Sequence, residues 1–393
     1  MAVICADVMD GLASLEDESV HCCVTSPPYW GLRDYGTGTW IGGDPTCDHS
    51  ASEPSRRAKS QSSSTLDGAT DGCHRSHVAG DTCPRCGAQR VDNQIGLEAT
   101  PEEHCERMVE VFREVRRVLR DDGTLWLNLG DSYARDFAKG GSGPNGKHDF
   151  IPSYGSARKA MRRGSARADG IVTEDSPRNR DGTFVNGSSL PLKPKDLVGI
   201  PWRVAFALQA DGWWLRSDII WSKPNSMPES VTDRPTKAHE YMFLLAKSAK
   251  YYYDADAIRE PLAACTEARL QYKRTGASKW SAAETNPTDM RSTDGARANP
   301  MGRNRRTVWT ISTSPYPEAH FATYPPALVE PCIKAGCPEG GTVLDPFCGS
   351  GTTGEVALKL GRDFIGIELN PEYVKLARKR VGNAAPLFAK EAE

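Results

Sequence analysis

Apolar and polar positions alternate along this chain with two different periods. Val3-Ile4-Cys5-Ala6 is a short apolar run that ends at Asp7. An amphipathic stretch follows to about residue 19, and Val20-His21-Cys22-Cys23-Val24 then runs into Thr25-Ser26-Pro27-Pro28-Tyr29-Trp30. The pattern predicts strand, helix and strand. Thr100-Pro101-Glu102-Glu103 has the form of a capping box, with Thr100 as N-cap, proline at the first helical position and Glu103 reaching back. Met108, Phe112, Val115 and Leu119 step by four, three and four, which is one helical face. Asp121-Asp122-Gly123 is expected to stop that helix, and Thr124-Leu125-Trp126-Leu127-Asn128-Leu129 to form a buried strand. Further helices are predicted over 200–208, 326–335 and 352–360, with a last one opening at Asn370-Pro371. Further strands are predicted over 213–221, 240–247, 342–345 and 363–368. Strands that alternate with helices imply an α/β fold on a mostly parallel sheet.

Three stretches lack either period. Residues 44–90 turn to Ser, Gly, Arg, His and Cys, residues 135–189 are rich in Gly, Ser and Arg, and residues 262–306 are polar and basic. They read as insertions in one catalytic domain spanning 1–393, and the second is expected to be mobile.

Composition narrows the function classes. The 393 residues are 38% hydrophobic and 25% charged, ordinary globular usage with enough length for a large core. A formal net charge of -2 excludes a protein that is basic all over, but not one basic groove on an acidic body. A charged-then-apolar leader and an apolar run of about 18 residues are both missing, so the expectation is a cytoplasmic protein without a membrane span. Twelve cysteines without the spacing of a small secreted domain point to reduced thiols, some of them holding metal.

Asp345-Pro346-Phe347-Cys348-Gly349-Ser350-Gly351-Thr352-Thr353-Gly354 joins a predicted strand to a predicted helix. Glycines let the backbone approach a ligand closely, and the helix start offers free amide groups. The last six residues match GxGxxG, and Glu368 ends the next strand where an acid can bind ribose hydroxyls, so a dinucleotide is one reading. Asp345 beside the loop would repel a pyrophosphate but suits the cationic amino end of S-adenosylmethionine. The loop alone leaves the cofactor undecided.

Thr25 to Trp30 decides it. Two prolines after a strand make a rigid extended turn that lacks N–H groups and presents carbonyl acceptors. An exocyclic amine on a base is a poor nucleophile, because its lone pair is delocalised into the ring. Acceptors aimed at its two hydrogens favour the pyramidal geometry that frees the lone pair. Ser26 Oγ and the Pro27 carbonyl suit that task, and Tyr29 offers a face on which a flipped base can stack.

With the Ser26–Tyr29 motif ahead of the glycine loop, the chain resembles the β-class DNA amino-methyltransferases, whose motif order is circularly permuted. By this resemblance Asp7 contacts the cofactor adenine, and Ser26, Pro27, Pro28 and Tyr29 are the catalytic motif. Gly123-Thr124-Leu125-Trp126 and Trp221-Ser222-Lys223-Pro224-Asn225 match later strands, and His320-Phe321-Ala322-Thr323-Tyr324-Pro325 matches the cofactor-side segment. Asp345, Phe347, Gly349 and Gly351 match the loop, and Glu368 the ribose-binding acid. Thr25, His320, Thr323, Thr352 and Asn370 complete the implied cofactor set. The resemblance implies a Rossmann-like fold with a seven-stranded, mostly parallel sheet and helices on both faces. It implies a base flipped from double-stranded DNA and direct in-line transfer from S-adenosylmethionine, with positioning and electrostatics as the enzyme's part. A homodimer is carried as a further expectation. Serine at the first position of the motif is typical of cytosine-N4 enzymes in the family, and aspartate of adenine-N6 enzymes.

Other readings explain less. A 5-methylcytosine enzyme needs a cysteine nucleophile, but Pro331-Cys332 falls in a predicted helix and Cys22 and Cys23 in a strand, where buried thiols are expected. An NAD oxidoreductase leaves Ser26–Tyr29 unexplained. An RNA or protein amide methyltransferase can share the Pro-Pro-Tyr turn, but the large basic insertions suit a duplex better. A catalytically silent, zinc-containing DNA binder has no use for the cofactor set.

Cys47-Asp48-His49 and Cys83-Pro84-Arg85-Cys86-Gly87 bracket the first insertion. A Cys-x-x-Cys followed by glycine is a typical zinc knuckle, and Cys47 with His49 completes four tetrahedral ligands, with Cys73, His74 and His77 as rivals. Such a zinc is expected to be structural, since an insertion so poor in apolar residues needs a metal to order it. Arg269, Lys273, Arg274, Lys279, Arg291, Arg297, Arg303, Arg305 and Arg306, with Tyr272 and Trp280, mark 262–306 as a candidate target-recognition region. Arg158, Lys159, Arg162, Arg163 and Arg167 form a second basic run that can track phosphates.

Overall fold

Val20–Thr25 carries apolar side chains toward both faces, as a strand buried on both sides must. It forms the middle of an eight-stranded sheet. The structure, a computed structural model, describes residues 1–31, 37–49, 82–83, 85–92, 94–98, 100–134, 192–193, 195–262, 299, 301–314 and 323–384. In chain order the strands are β1 (Ala2–Cys5), β2 (Val20–Thr25), β3 (Thr39–Ile41), β4 (Gln89–Val91), β5 (Leu119–Leu129), β6 (Trp214–Ser222), β7 (His239–Ala246), β8 (Val308–Thr310), β9 (Thr342–Asp345) and β10 (Asp363–Glu368). The helices are α1 (Val8–Ala13), α2 (Pro101–Val118), α3 (Ile200–Ala210), α4 (Pro326–Gly336), α5 (Thr352–Lys359) and α6 (Pro371–Ala384).

The sheet runs β1-β10-β9-β2-β5-β7-β6-β8, and β3 pairs with β4 in a separate antiparallel hairpin. Among the described residues only β7 opposes its neighbours in the large sheet; the remaining pairings there are parallel. This is one strand more than the seven implied by the resemblance, and the surplus is the three-residue edge strand β8. Side chains alternate between two cores. Cys23, Leu125, Leu127, Leu129 and Leu344 meet α1, α2 and α3 on one face. Cys22, Val24, Trp126 and Val343 meet α4, α5 and α6 on the other. The layers are therefore helix, sheet, helix.

Two element ends differ from expectation. The first helix stops at Ala13, well short of residue 19, and Ser14 caps its end, donating its hydroxyl to the Gly11 carbonyl at 2.6 Å. α2 is capped by Thr100 as expected, its Oγ1 accepting from Glu103 N at 3.1 Å, but it ends before Asp121-Asp122-Gly123. Leu119 is fully buried and pairs with Val20, which draws it out of the helix into β5. The ladder resumes at Cys22 and Thr124, so Arg120–Asp122 bulge into solvent. The expected buried thiols are buried: Cys22, Cys23 and Cys332 are inaccessible, and burial pushes all three pKa values up. Among the described residues no helix is long and apolar enough to cross a membrane.

Candidate active site at the carboxyl edge of the sheet

Parallel strands bring their carboxyl ends to one edge, where ligands bind in open α/β sheets. Here that edge gathers Thr25–Tyr29 after β2, Asn128 and Gly130 at the end of β5, Asp345 on β9 and Glu368 on β10. The reversed direction of β7 delivers its first residues, His239 and Glu240, to the same edge, and β6 ends there at Trp221, Ser222 and Lys223.

Ser26 Oγ donates to Asn128 Oδ1 at 3.1 Å. The Asn128 amide, 1% exposed, donates through Nδ2 to the Tyr241 carbonyl at 3.0 Å and to Glu240 Oε2 at 3.3 Å. Tyr29 OH lies 2.7 Å from Glu240 Oε2 and 3.1 Å from Asn128 Oδ1. Lys223 Nζ bonds Glu240 Oε1 and sits 4.2 Å from the centre of the Trp221 ring, an added cation–π contact. Pro27 is buried, while Ser26, Pro28 and Tyr29 are half-buried and face the open edge. Gly31 N donates to the Gly96 carbonyl at 2.9 Å and Trp30 Nε1 to the Glu98 carbonyl at 2.9 Å, which tie the turn to the segment ahead of α2.

The glycine loop lies beside this group. Gly349 and Gly351 have φ of 52° and 82°, a region that favours glycine, and Gly351 stands where a Cβ would lie 3.0 Å from the Ala377 backbone. Glu368 accepts from Gly349 N at 2.9 Å and Asn370 N at 2.8 Å, so the acid on β10 shapes both the loop and the entry to α6. Burial raises its pKa, and the two N–H donors oppose that rise. Arg380 Nη1 donates to Thr352 Oγ1 at 2.8 Å and Ser350 Oγ at 3.2 Å, pinning the start of α5. Asp7 caps α1, accepting from Met9 N at 2.9 Å. Phe347 packs against the α1–α3 core and Thr323 is half-buried. His320 lies outside the described residues.

Asp345 does more than line the loop. At 1% exposure its Oδ1 accepts from Thr25 Oγ1 at 2.7 Å and Phe347 N at 3.1 Å, and its Oδ2 from Thr353 Oγ1 at 2.5 Å and Tyr324 OH at 3.0 Å. Four donors fill the four lone pairs of the carboxylate. The residue thus knots the end of β2, the approach to α4 and the start of α5 together directly behind the Ser26–Tyr29 turn. Burial pushes its pKa up, and the same four hydrogen bonds oppose the rise.

The first insertion supplies a second cluster. Sγ of Cys47, Cys83 and Cys86 and a ring nitrogen of His49 all lie within 4.8 Å of one another. Cys47 and Cys83 Sγ are 3.9 Å apart, and Cys86 Sγ is 3.7 Å from His49 Nδ1. Cys83 N donates to Ala88 O at 2.7 Å and Gly87 N to Cys83 O at 2.8 Å, with Gly87 at φ 75°, so the knuckle turn is formed as its spacing predicts. The β3–β4 hairpin carries the cluster, and Trp40 stacks on His49 at 4.7 Å. The rival ligands Cys73, His74 and His77 lie outside the described residues, as do 135–189 and the basic run Arg158–Arg167 within it. Of the basic residues expected to read DNA in 262–306, Arg303, Arg305 and Arg306 are described. Arg303 and Arg306 bond Glu260 at 3.1 and 3.0 Å, and Arg305 lies 4.6 Å from the Trp309 ring centre.

Asn128, Glu240, Tyr324 and Thr353 are the site residues that sequence reasoning missed. Asn128 had a signal: it is the one amide in the apolar run Leu125–Leu129, and a polar group at a buried strand position needs a partner.

A family model for DNA methylases matches residues 20–379 of the chain. The chain is 38% identical over 379 residues to the Type II methyltransferase M.SmaI of Serratia marcescens, covering 96% of this chain and 90% of that one. It is 40% identical over 375 residues to the Type II methyltransferase M.Cfr9I of Citrobacter freundii, covering 95% and 85%. Among solved structures it is similar to the cytosine-N4-specific PvuII DNA methyltransferase, at a TM-score of 0.50 and 15% identity over 96% of this chain and 85% of that one, a likeness of fold. With the Ser26–Tyr29 turn and the Gly349–Gly351 loop side by side and the family matched along most of its length, the chain belongs to the N6/N4 type of DNA methylases.

Proposed function

We propose that the chain moves a methyl group from S-adenosylmethionine to the exocyclic amine of a base turned out of double-stranded DNA, and that the base is cytosine, methylated at N4. The observation that carries this is the direction of the Ser26 hydroxyl. Its hydrogen goes to Asn128 Oδ1, and the Asn128 amide is held in that orientation by Tyr241 O and Glu240. Ser26 Oγ is then left with lone pairs only, as an acceptor for a hydrogen of the amine. The Pro27 carbonyl supplies the next acceptor, and Tyr29 the stacking face. S-adenosylmethionine, when bound, supplies a methyl on a sulfonium, an electrophile that needs no covalent enzyme intermediate. Gly349 and Gly351 allow its close approach; by the family resemblance Glu368 would hold the ribose and Asp7 the adenine, and Thr25, Phe347, Thr352, Asn370, Thr323 and His320 are the further contacts it implies. Asp345 holds the wall between cofactor and base. A serine rather than an aspartate at position 26 favours cytosine N4 over adenine N6, as the resemblance to the β-class enzymes implies.

Cys47, His49, Cys83 and Cys86 fit a zinc ion. Zinc–sulfur bonds of about 2.3 Å in a tetrahedron put sulfurs about 3.8 Å apart, close to the Cys47–Cys83 separation of 3.9 Å. Its role would be to order the hairpin, not to act on the methyl.

The deciding experiment is mass spectrometry of nucleosides from DNA incubated with the protein and S-adenosylmethionine. N4-methylcytosine supports the full proposal. N6-methyladenine keeps the reaction and removes the link between Ser26 and the base. No methylated nucleoside on several diverse DNAs would refute it.

A further inference from the structure

Amide oxygen and nitrogen are nearly the same size, so an asparagine beside Ser26 orients the hydroxyl only if something else orients the asparagine. Around Asn128 that something is Glu240 together with the Tyr241 carbonyl, which accepts from Asn128 Nδ2 at 3.0 Å. Glu240 Oε2 takes the Asn128 Nδ2 hydrogen at 3.3 Å and the Tyr29 hydroxyl at 2.7 Å, while Oε1 is bonded by Lys223 Nζ. The acid stands on β7, the strand that runs against the others, and its side chain is 17% exposed. A carboxylate has acceptors only, so every group that meets it must present a hydrogen. Asn128 must therefore turn Nδ2 toward Glu240 and Oδ1 toward Ser26, and Ser26 must spend its single hydrogen on Oδ1.

We infer that Glu240 is a positioning residue of the methyl transfer: held by Lys223, it fixes the Asn128 amide and the Tyr29 ring so that Ser26 meets the target amine as an acceptor. The inference rests on the Ser26 reading above and adds its cause. Glu240 need touch neither base nor cofactor. It acts through Asn128 and Tyr29, and no proton moves onto it.

The test compares the parent with Glu240→Gln and Glu240→Asp, reading kcat, KM for DNA and S-adenosylmethionine binding. An amide in place of the Glu240 carboxylate can present either its oxygen or its nitrogen, so Tyr29 and Asn128 lose an acceptor that cannot turn round, and Asn128 keeps the Tyr241 carbonyl alone. The expected result is a fall in kcat of about tenfold. Cofactor affinity should stay within about twofold, since β2 and β5 stand between the strand of Glu240 and the strand that leads into the glycine loop. Glu240→Asp keeps an acceptor-only group and should turn over faster than Glu240→Gln although it is one carbon shorter; a merely structural role, for which glutamine is the closer match in shape, predicts the opposite order. Glu240→Gln turning over within about twofold of the parent, or Glu240→Asp no faster than Glu240→Gln, overturns the inference while a working parent keeps the proposed function intact. If Glu240→Gln fails to fold, Glu240→Asp decides alone: turnover within about tenfold of the parent supports the inference, and bound cofactor with slower turnover overturns it. A parent that methylates no DNA defeats both.

Discussion

Gly130 holds an empty place that the Tyr29 ring fills. A Cβ at position 130 would lie 2.5 Å from Tyr29 Cε2, 3.0 Å from Cδ2 and 3.1 Å from Cζ. Carbon atoms rest about 3.5–4.0 Å apart, so in Gly130→Ala the ring must retreat by about 1 Å. The backbone itself accepts alanine, because Gly130 is not among the glycines with positive φ. The cost therefore falls on the ring and its bonds. Tyr29 OH is 2.7 Å from Glu240, and a retreat of that size breaks the contact and tilts the face on which a base would stack. Overpacking of this kind costs about 1–3 kcal/mol of stability. A displacement of about 1 Å at a reacting centre costs about a hundredfold in rate. The assay is single-turnover methylation of duplex DNA, beside thermal melting and S-adenosylmethionine binding. The expected outcome is a folded, cofactor-binding protein whose transfer step is about a hundredfold slower. Parental rates in a folded Gly130→Ala protein would show that Tyr29 can move freely, and the claim that this contact sets its position would be lost.

Ser26→Ala should abolish transfer while cofactor still binds, because the amine loses its acceptor and the loop is untouched; near-parental turnover removes Ser26 from the mechanism. Metal analysis should find about one zinc per chain, lost in Cys83→Ser together with part of the turnover, since the hairpin leads back to Gly96 and the Trp30 contact; a zinc-free parent of full activity refutes the site. Burial raises the pKa of Asp345 and Glu368 above their ordinary values of 3.8 and 4.5, so the folded state binds each proton more tightly than the unfolded chain. The stability so contributed is fully present below those ordinary values and is lost as pH rises through the raised ones. Melting of Asp345→Asn against pH should therefore lack part of that decline, and curves parallel to the parent's would contradict the burial argument.

The parallel core and both motifs were legible in the sequence because they are local. Strand period, capping box, diproline and glycine loop are each written in a few adjacent residues, and so is the Cys83-x-x-Cys86 turn, whereas the spacing leaves its partners open between Cys47 and His49 and the rivals Cys73, His74 and His77. Asp121-Asp122-Gly123 misled, because a tertiary pairing of Val20 with Leu119 ends α2 before that stop signal is reached. Asp345 was found but read too simply: its place beside the loop is local, while its four partners come from positions 25, 324, 347 and 353. Glu240 could not be found at all. Its role depends on β7 being, among the described strands of the large sheet, the one that enters from the opposite end, which sets the first residues of β7 against the last residues of β5. In a wholly parallel sheet the start of that strand would lie at the far edge, and Asn128 would meet no carboxylate. The reversal of a single strand is thus what lets an uncharged Ser-Pro-Pro-Tyr turn be oriented by a charge it does not carry. That charge lies two strands from the Ser26–Tyr29 turn, with β5 between them, where no sequence motif spans the distance.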